Sequence, residues 1–268
     1  VPADGVYTIE VWGAQGGNTG SSTVNEGTTP GGKGARMKGD FTLTSGTVLK
    51  ILVGQQGFGN AYDGGGGGGT FVVTGTSTAL IIAGGGGGSN TYSGQNDAGV
   101  PGSTGTAGTV GTGSGSGTPG DNGTGGSGSF SSSGAGLLTD GGNPTWSSSY
   151  NGGGDAFVNG GQGGNVIAVS NCVGGFGGGG SGHGNSCIGG GGGGGYSGGT
   201  GSRSSCHAGG GGGSYNNGAN QSNSGGVREG HGQVVITYCI GMCFESVSIV
   251  ANNSYADITF TAGAYNTN

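Results

Sequence analysis

The residues able to do chemistry in this chain are few and scattered. His183, His207 and His231 fall in different glycine-rich stretches. Each could ligate a metal with a nearby cysteine, but no spacing repeats in the way a zinc site requires. Ser205-Cys206-His207 has the residue types of a nucleophile and its base. Adjacent residues of an extended segment point apart, however, and no carboxylate stands near enough in sequence to orient the imidazole. The glycine runs suggest a phosphate cradle, yet none is followed by Lys-Ser or Lys-Thr, and none opens a helix. Asp63 and Asp155 border glycine runs without the carboxylate pattern of a calcium loop. The chain therefore reads as non-enzymatic, with no cofactor and no metal.

The cysteines and aromatics remain. Cys172, Cys187, Cys206, Cys239 and Cys243 match no zinc pattern and are expected to form one or two disulfides in an extracellular chain. Cys172–Cys187 is the preferred bridge, because a loop of that size closes readily and both residues flank glycine runs. Tyr62, Tyr92, Trp146, Tyr150, Tyr196 and Tyr215 stand at the ends of runs, where an aromatic either caps glycine backbone or offers a platform to a sugar ring. The first four are the candidate surface-binding residues.

Composition narrows the class. Glycine supplies 81 of 268 residues, while charged residues make up only 7%. Disordered chains are usually rich in charge, so this is not a typical one. The net charge of −6 with only six Lys and Arg argues against a nucleic-acid partner, since phosphates are held by clustered basic side chains. No segment approaches the roughly 18 apolar residues of a membrane span, so no membrane insertion is expected.

Between the glycine runs lie short alternating stretches. Val6–Gly13 places Tyr7, Ile9 and Val11 on one face; Ala35–Gly54 holds two or three strands with a turn at Ser45-Gly46; Thr70–Gly85 reads as a hairpin around Gly75–Ser77. Asn165–Asn171 and Gly232–Tyr238 add two more strands. No stretch carries a 3.6-residue apolar period, so no α-helix is expected. The reading is all-β, an antiparallel sandwich with glycine-rich insertions.

Glycine loses more backbone entropy on folding than any other residue and buries no side chain. Runs such as Gly189–Gly195 are therefore either disordered tethers or parts of a structure that requires the missing side chain. The stretch Gly99–Gly126 favours the second, because glycine recurs every third residue with Ser114 the single exception. A polyproline-II helix has three residues per turn, so this register keeps one edge bare. Left-handed glycine helices could then pack until backbone groups of neighbours bond to one another. Homopolymeric runs should lie at the centre, with Gly64, Gly84, Gly177, Gly192 and Gly211 marking the polyglycine core, and the period-three stretch should lie at the periphery.

The segments "VYTIEVWGAQGG", "GGKGARMKGDFTLTSGTVLKILVGQQG", "LIIAGGGGGS", "GGGGGYSGG", "AGGGGGSYNNG" and "GVREGHGQVVITY" resemble, in this order, the glycine-rich domain of bacterial secreted surface and adhesin proteins. They are also similar to the glycine-rich region of the anaplastic lymphoma and leukocyte receptor tyrosine kinases. The resemblance covers about Val6 to Tyr238 and implies a jelly-roll or tumour-necrosis-factor-like β-sandwich fused to a bundle of polyglycine helices. Phage-tail tip adhesins and insect antifreeze proteins are similar only in the glycine bundle.

The expected organisation is a glycine-rich domain over residues 1–238, then a linker and two strands over 239–268. "SVSIV" and "ADITFT" each present one apolar face, Val247 with Ile249 and Ile258 with Phe260. Two strands alone make no stable unit, so they are expected to complete a sheet outside the glycine-rich domain. That sheet would belong to a following module or, in a filament, to a neighbouring copy. The expected function is a structural or adhesive module of a large extracellular or cell-surface protein, a rigid spacer or tip. Its partners would be other modules, neighbouring copies, surface glycans or a protein ligand. The alternatives are a receptor-like domain binding a specific protein, and an ice-binding or phage-tip use of the glycine helices.

Overall fold

The protein is described by a computed structural model that covers residues 1–92, 95–127, 130–145, 152–165, 172–183, 188–240, 243–251 and 256–261. The strand expected at Asn165–Asn171 lies almost entirely outside the described residues. The described chain is all-β and antiparallel, and its one helical turn is the 3-10 segment Phe157–Asn159.

Twelve strands form the described sheets. In chain order they are β1 (Gly5–Trp12), β2 (Gly34–Leu43), β3 (Leu49–Leu52), β4 (Thr70–Thr74), β5 (Thr78–Ala83), β6 (Asn90–Tyr92), β7 (Gln95–Asp97), β8 (Tyr215–Asn216), β9 (Ser224–Arg228), β10 (Gln233–Ile240), β11 (Cys243–Ala251) and β12 (Ala256–Thr261). A six-stranded sheet has the order β12-β11-β10-β1-β2-β9, a four-stranded sheet β3-β4-β5-β8, and β6 with β7 forms a small hairpin.

Alternation along β1 buries Tyr7, Ile9 and Val11, as the sequence pattern requires, and pairing sets Val11 between Met37 of β2 and Val234 of β10. These side chains meet Val72, Ile81 and Ala83 of the four-stranded sheet in one apolar cluster. The two sheets therefore pack face to face as a sandwich. The turn residues Gly46 and Gly75 have φ of 81° and 59°, a region costly for any side chain, and this is why glycine stands at the β2–β3 crossing between the sheets and at the β4–β5 hairpin.

The four-stranded sheet is covered on its second face as well. Phe71, Val73 and Ile82 point away from the six-stranded sheet into a separate cluster with Leu52 and Leu137, flanked by Phe157, Phe176, Tyr196 and Tyr215. Tyr196 and Tyr215 each follow a glycine run and stack with ring centroids 4.8 Å apart. The aromatics at the ends of those runs thus join the glycine region to the sandwich.

The C-terminal strands correct the expected division of the chain. The boundary placed after Tyr238 falls inside β10, and β11 pairs with β10 through Gln233↔Val250 to Ile240↔Cys243. β12 then pairs with β11. The two strands extend the domain's own sheet and do not complete one outside it. The register explains this: Ile236 lies opposite Val247 and Val234 opposite Ile249, so the apolar row of β10 continues across the tail.

Candidate functional site

The strands of the sandwich run directly into the glycine segments. β1 leads into Gly13–Gly17, β3 into Val53–Gly57 and β5 into Gly84–Gly88, while Gly64–Gly69 leads back into β4 and Gly209–Gly213 into β8. The order of the four-stranded sheet is kept. Gly68 N–H donates to Gln55 O at 2.9 Å, Gly67 N–H to Gly86 O at 2.8 Å, and Gly212 N–H to Gly85 O at 2.8 Å.

Partners recur every third residue. In the run ending at Gly195, the amides of Gly190 and Gly193 donate to His207 and Gly210, those of Gly191 and Gly194 to Gly64 and Gly67, and those of Gly192 and Gly195 to Ser132 and Ala135. The same run accepts from Gly85 and Gly88, from Gly180, and from Gly199 and Ser202. Six segments therefore surround it among the described residues, in the manner of a hexagonal lattice. The direction of its amide bonds thus repeats every third residue. The lattice holds only because the positions are glycine: a Cβ on Gly192 would stand under 3.0 Å from the carbonyls of Gly199 and Thr200 and the nitrogen of Gly134.

Burial follows the same register in the peripheral stretch. Gly99, Gly102, Gly108, Gly111, Gly120, Gly123 and Gly126 are buried, whereas most of the residues between them are exposed or half-buried. Gly105 and Gly117 are exceptions. Of the expected core markers, Gly64, Gly84, Gly192 and Gly211 lie buried within runs. Gly177 is buried too, but with φ of 102° it forms part of the turn Phe176–Gly178 and does not continue a run.

Beyond the outward and returning runs, three segments meet at the end remote from the sandwich: residues 18–29, residues 58–63, and the paired strands β6 and β7. Asn25 ties the first two, accepting from Gly59 N–H at 3.0 Å and donating from Nδ2 to Gly57 O at 3.1 Å. Its φ of 59° is one that Asn tolerates better than most residues. The hydroxyl of Thr19 bonds those of Ser89 and Thr91 at 3.0 and 2.8 Å, tying the first segment to the third. Thr91 N–H donates to Tyr62 O at 2.7 Å and ties the second to the third.

Tyr62 and Tyr92 are brought together there, ring centroids 6.0 Å apart and planes at 60°. Tyr62 is 43% exposed. Asn60 fixes the approach, its Oδ1 accepting from Tyr62 N–H at 2.8 Å and Asp63 N–H at 3.0 Å. Beneath the pair, fully buried Asp63 accepts from Asn90 Nδ2 and from Gly189 N–H. The sequence reading missed this Asp63–Asn90 contact. The signal was present: Asp63 immediately precedes a returning run and Asn90 closely follows an outgoing one, so both fall at the same end. Trp146 and Tyr150 lie outside the described residues.

The expected Cys172–Cys187 bridge is not formed. Cys172 is a free, buried thiol that donates to Asp63 O at 2.9 Å, and burial, with the Asp63 charge second, pushes its pKa well up. Its sulfur is held on the loop base instead of facing a second cysteine; Cys187 lies outside the described residues. Cys206 is disulfide-bonded.

The histidines are separated. His231 Nδ1 accepts from Gln56 N–H at 3.1 Å, and His183 is buried. His207 Nδ1 lies 2.9 Å from Ser204 Oγ and 2.7 Å from Ser205 O. A carbonyl only accepts, so it holds the proton on Nδ1, and that nitrogen then has no lone pair with which to act as a base toward Ser204. No group of three or more His, Cys, Asp or Glu side chains placed to hold a metal occurs among the described residues. Asp155 has its pKa raised by burial and then by Asp140, while Ala156 N–H and Asn159 Nδ2 both donate to Asp140 Oδ1.

The class of protein defined by these features is an all-β sandwich whose strands continue into a backbone-bonded glycine lattice ending in a loop surface. No family model matches the chain, and no curated protein matches it.

Proposed function

We propose that the chain is a structural and adhesive module of an extracellular or cell-surface protein, in which the glycine segments are polyglycine helices of the polyproline-II type. On this reading the sandwich anchors a rigid stalk and the joined loops form its tip. The carrying observation is the period-three bonding around Gly190–Gly195, since a backbone with three residues per turn is the polyproline-II repeat. A flexible tether has no reason to order its amides in this way.

Two further features support the reading. The disulfide at Cys206 suits an oxidising compartment. Buried amides bonded to backbone on every side give a protease no extended segment to bind, which suits exposure outside a cell. The resemblance to glycine-rich surface proteins points the same way.

Hydrogen exchange on the full chain tests the proposal. The amides of Gly191–Gly194 and Gly85–Gly88 are expected to exchange as slowly as those of β1 and β4. Exchange there at random-coil rates would end the reading of the module as a rigid stalk.

A further inference from the structure

We propose that the corner formed by Tyr62 and Tyr92 binds a neutral sugar ring of a surface glycan. The inference rests on the adhesive reading and assigns the ligand class of its tip.

The geometry of the pair comes first. Two rings at 60° with centroids 6.0 Å apart present two differently oriented surfaces, not one flat stack. A pyranose has a face of C–H groups and a rim of hydroxyls. Its C–H face can lie on one ring while its edge meets the other. Tyr62 remains 43% exposed although the next residue, Asp63, is fully buried, so its ring is held outward by the chain and not drawn in as a cap.

Rigidity is the second observation. The backbone of Tyr62 is fixed on both sides, by Asn60 Oδ1 at its N–H and by Thr91 N–H at its carbonyl. The Asp63–Asn90 contact locks the base, and Tyr92 belongs to the β6–β7 hairpin, opposite Gln95. An aromatic already ordered loses little entropy on binding.

Charge selects the ligand. Residues 18–29, 58–63 and 90–97 contain no Lys or Arg. A phosphate, sulfate or sialic acid would find no cation in these loops. Of their three carboxylates Asp63 is buried, and Asp97 accepts from Thr112 Oγ1 and Ala208 N–H, which leaves Glu26. Apart from Glu26, the exposed polar groups are neutral, among them Thr28 and Asn96. Hydroxyls and amides beside an aromatic corner match a neutral sugar, whose rim both donates and accepts.

The test titrates the full chain with a panel of neutral gluco-, galacto-, manno- and N-acetylglucosamine oligosaccharides, alongside sulfated and sialylated counterparts and a trimethylammonium probe. At least one neutral oligosaccharide is expected to bind and to shift the ring signals of Tyr62 and Tyr92 in the wild-type protein. Tyr62→Ala and Tyr92→Ala should each weaken it about tenfold or more, the equivalent of one lost aromatic anchor. Tyr62→Trp should bind within a few-fold of wild type. Binding of no neutral sugar at millimolar concentration would overturn the proposal. So would preference for a charged probe, or ring signals unmoved by the sugar. Slow exchange in Gly64–Gly69 alongside any of those results would leave the rigid-stalk reading standing, so the two can fail separately.

Discussion

The amide of Gly194 donates to the carbonyl of Gly67 at 3.0 Å, joining two runs far apart in sequence at a distance from which any side chain is excluded. Three residues earlier, Gly191 makes the same bond to Gly64 at 2.9 Å. The runs advance in step, so displacing one residue disturbs bonds to several neighbours together.

Gly192→Ala is therefore expected to be far more damaging than its single methyl suggests. The new Cβ would press on backbone, which cannot rotate aside, and the site also bonds Ser132 and Gly180. A loss of about 3 kcal/mol or more is expected, beyond the usual range for surface changes. Gly5→Ala, where a Cβ meets nothing within 4 Å, should be neutral or slightly stabilising. Thermal unfolding of the two variants checks the contrast; equal melting temperatures would contradict the lattice.

Cys172 predicts a loss of stability in alkali. Burial raises its pKa above the ordinary value of 9.0, so the folded thiol stays protonated while the unfolded one ionises. A raised folded pKa gives stability that is fully present below pH 9.0 and falls as pH rises through the interval above it. The slope is at most about 1.4 kcal/mol per pH unit for one group. Denaturant melts at increasing pH should show this slope in the wild type, and Cys172→Ala should lose that part of it. The thiol should also resist a disulfide reagent until the protein unfolds.

The C-terminal strands should behave as part of the domain. With β11 paired along β10, the tail is expected to resist limited proteolysis in the full chain. Removing residues 241–268 would leave β10 as an open edge bearing Ile236 and Tyr238, a template for association. Truncation is therefore expected to lower the melting temperature by several degrees and to raise the apparent mass in light scattering. A tail digested without effect on either measurement would contradict the pairing.

The sandwich was largely legible from sequence. Alternation located β1, β2, β3, the β4–β5 hairpin and β10, because a half-buried strand needs an apolar residue every second position. It missed β6, β7, β8 and β9: β6, β7 and β8 are only two or three residues long, and β9, "SGGVR", has no apolar face to read. Glycine spacing also marked which faces of the peripheral stretch would be buried, since only a bare edge survives close approach.

The partners were decided by the tertiary structure. A run of identical glycines carries no register, so nothing in Gly189–Gly195 says that Gly191 meets Gly64; the anchored ends of the two runs, β4 after Gly69 and Tyr196 stacked on Tyr215 after Gly195, set that. The same holds at the tip. Tyr62 and Tyr92 are ordinary residues at the ends of two runs, and they form a corner because β4 and β5 are neighbours in one sheet. Cys172 shows the limit of spacing arguments: loop length favoured a bridge to Cys187, but the lattice turned the sulfur onto Asp63. The tail's apolar faces were equally visible in sequence. Only the register on β10 determined that this chain's own sheet would cover one edge of the pair, because pairing energy depends on which strand is in reach and not on the alternation alone.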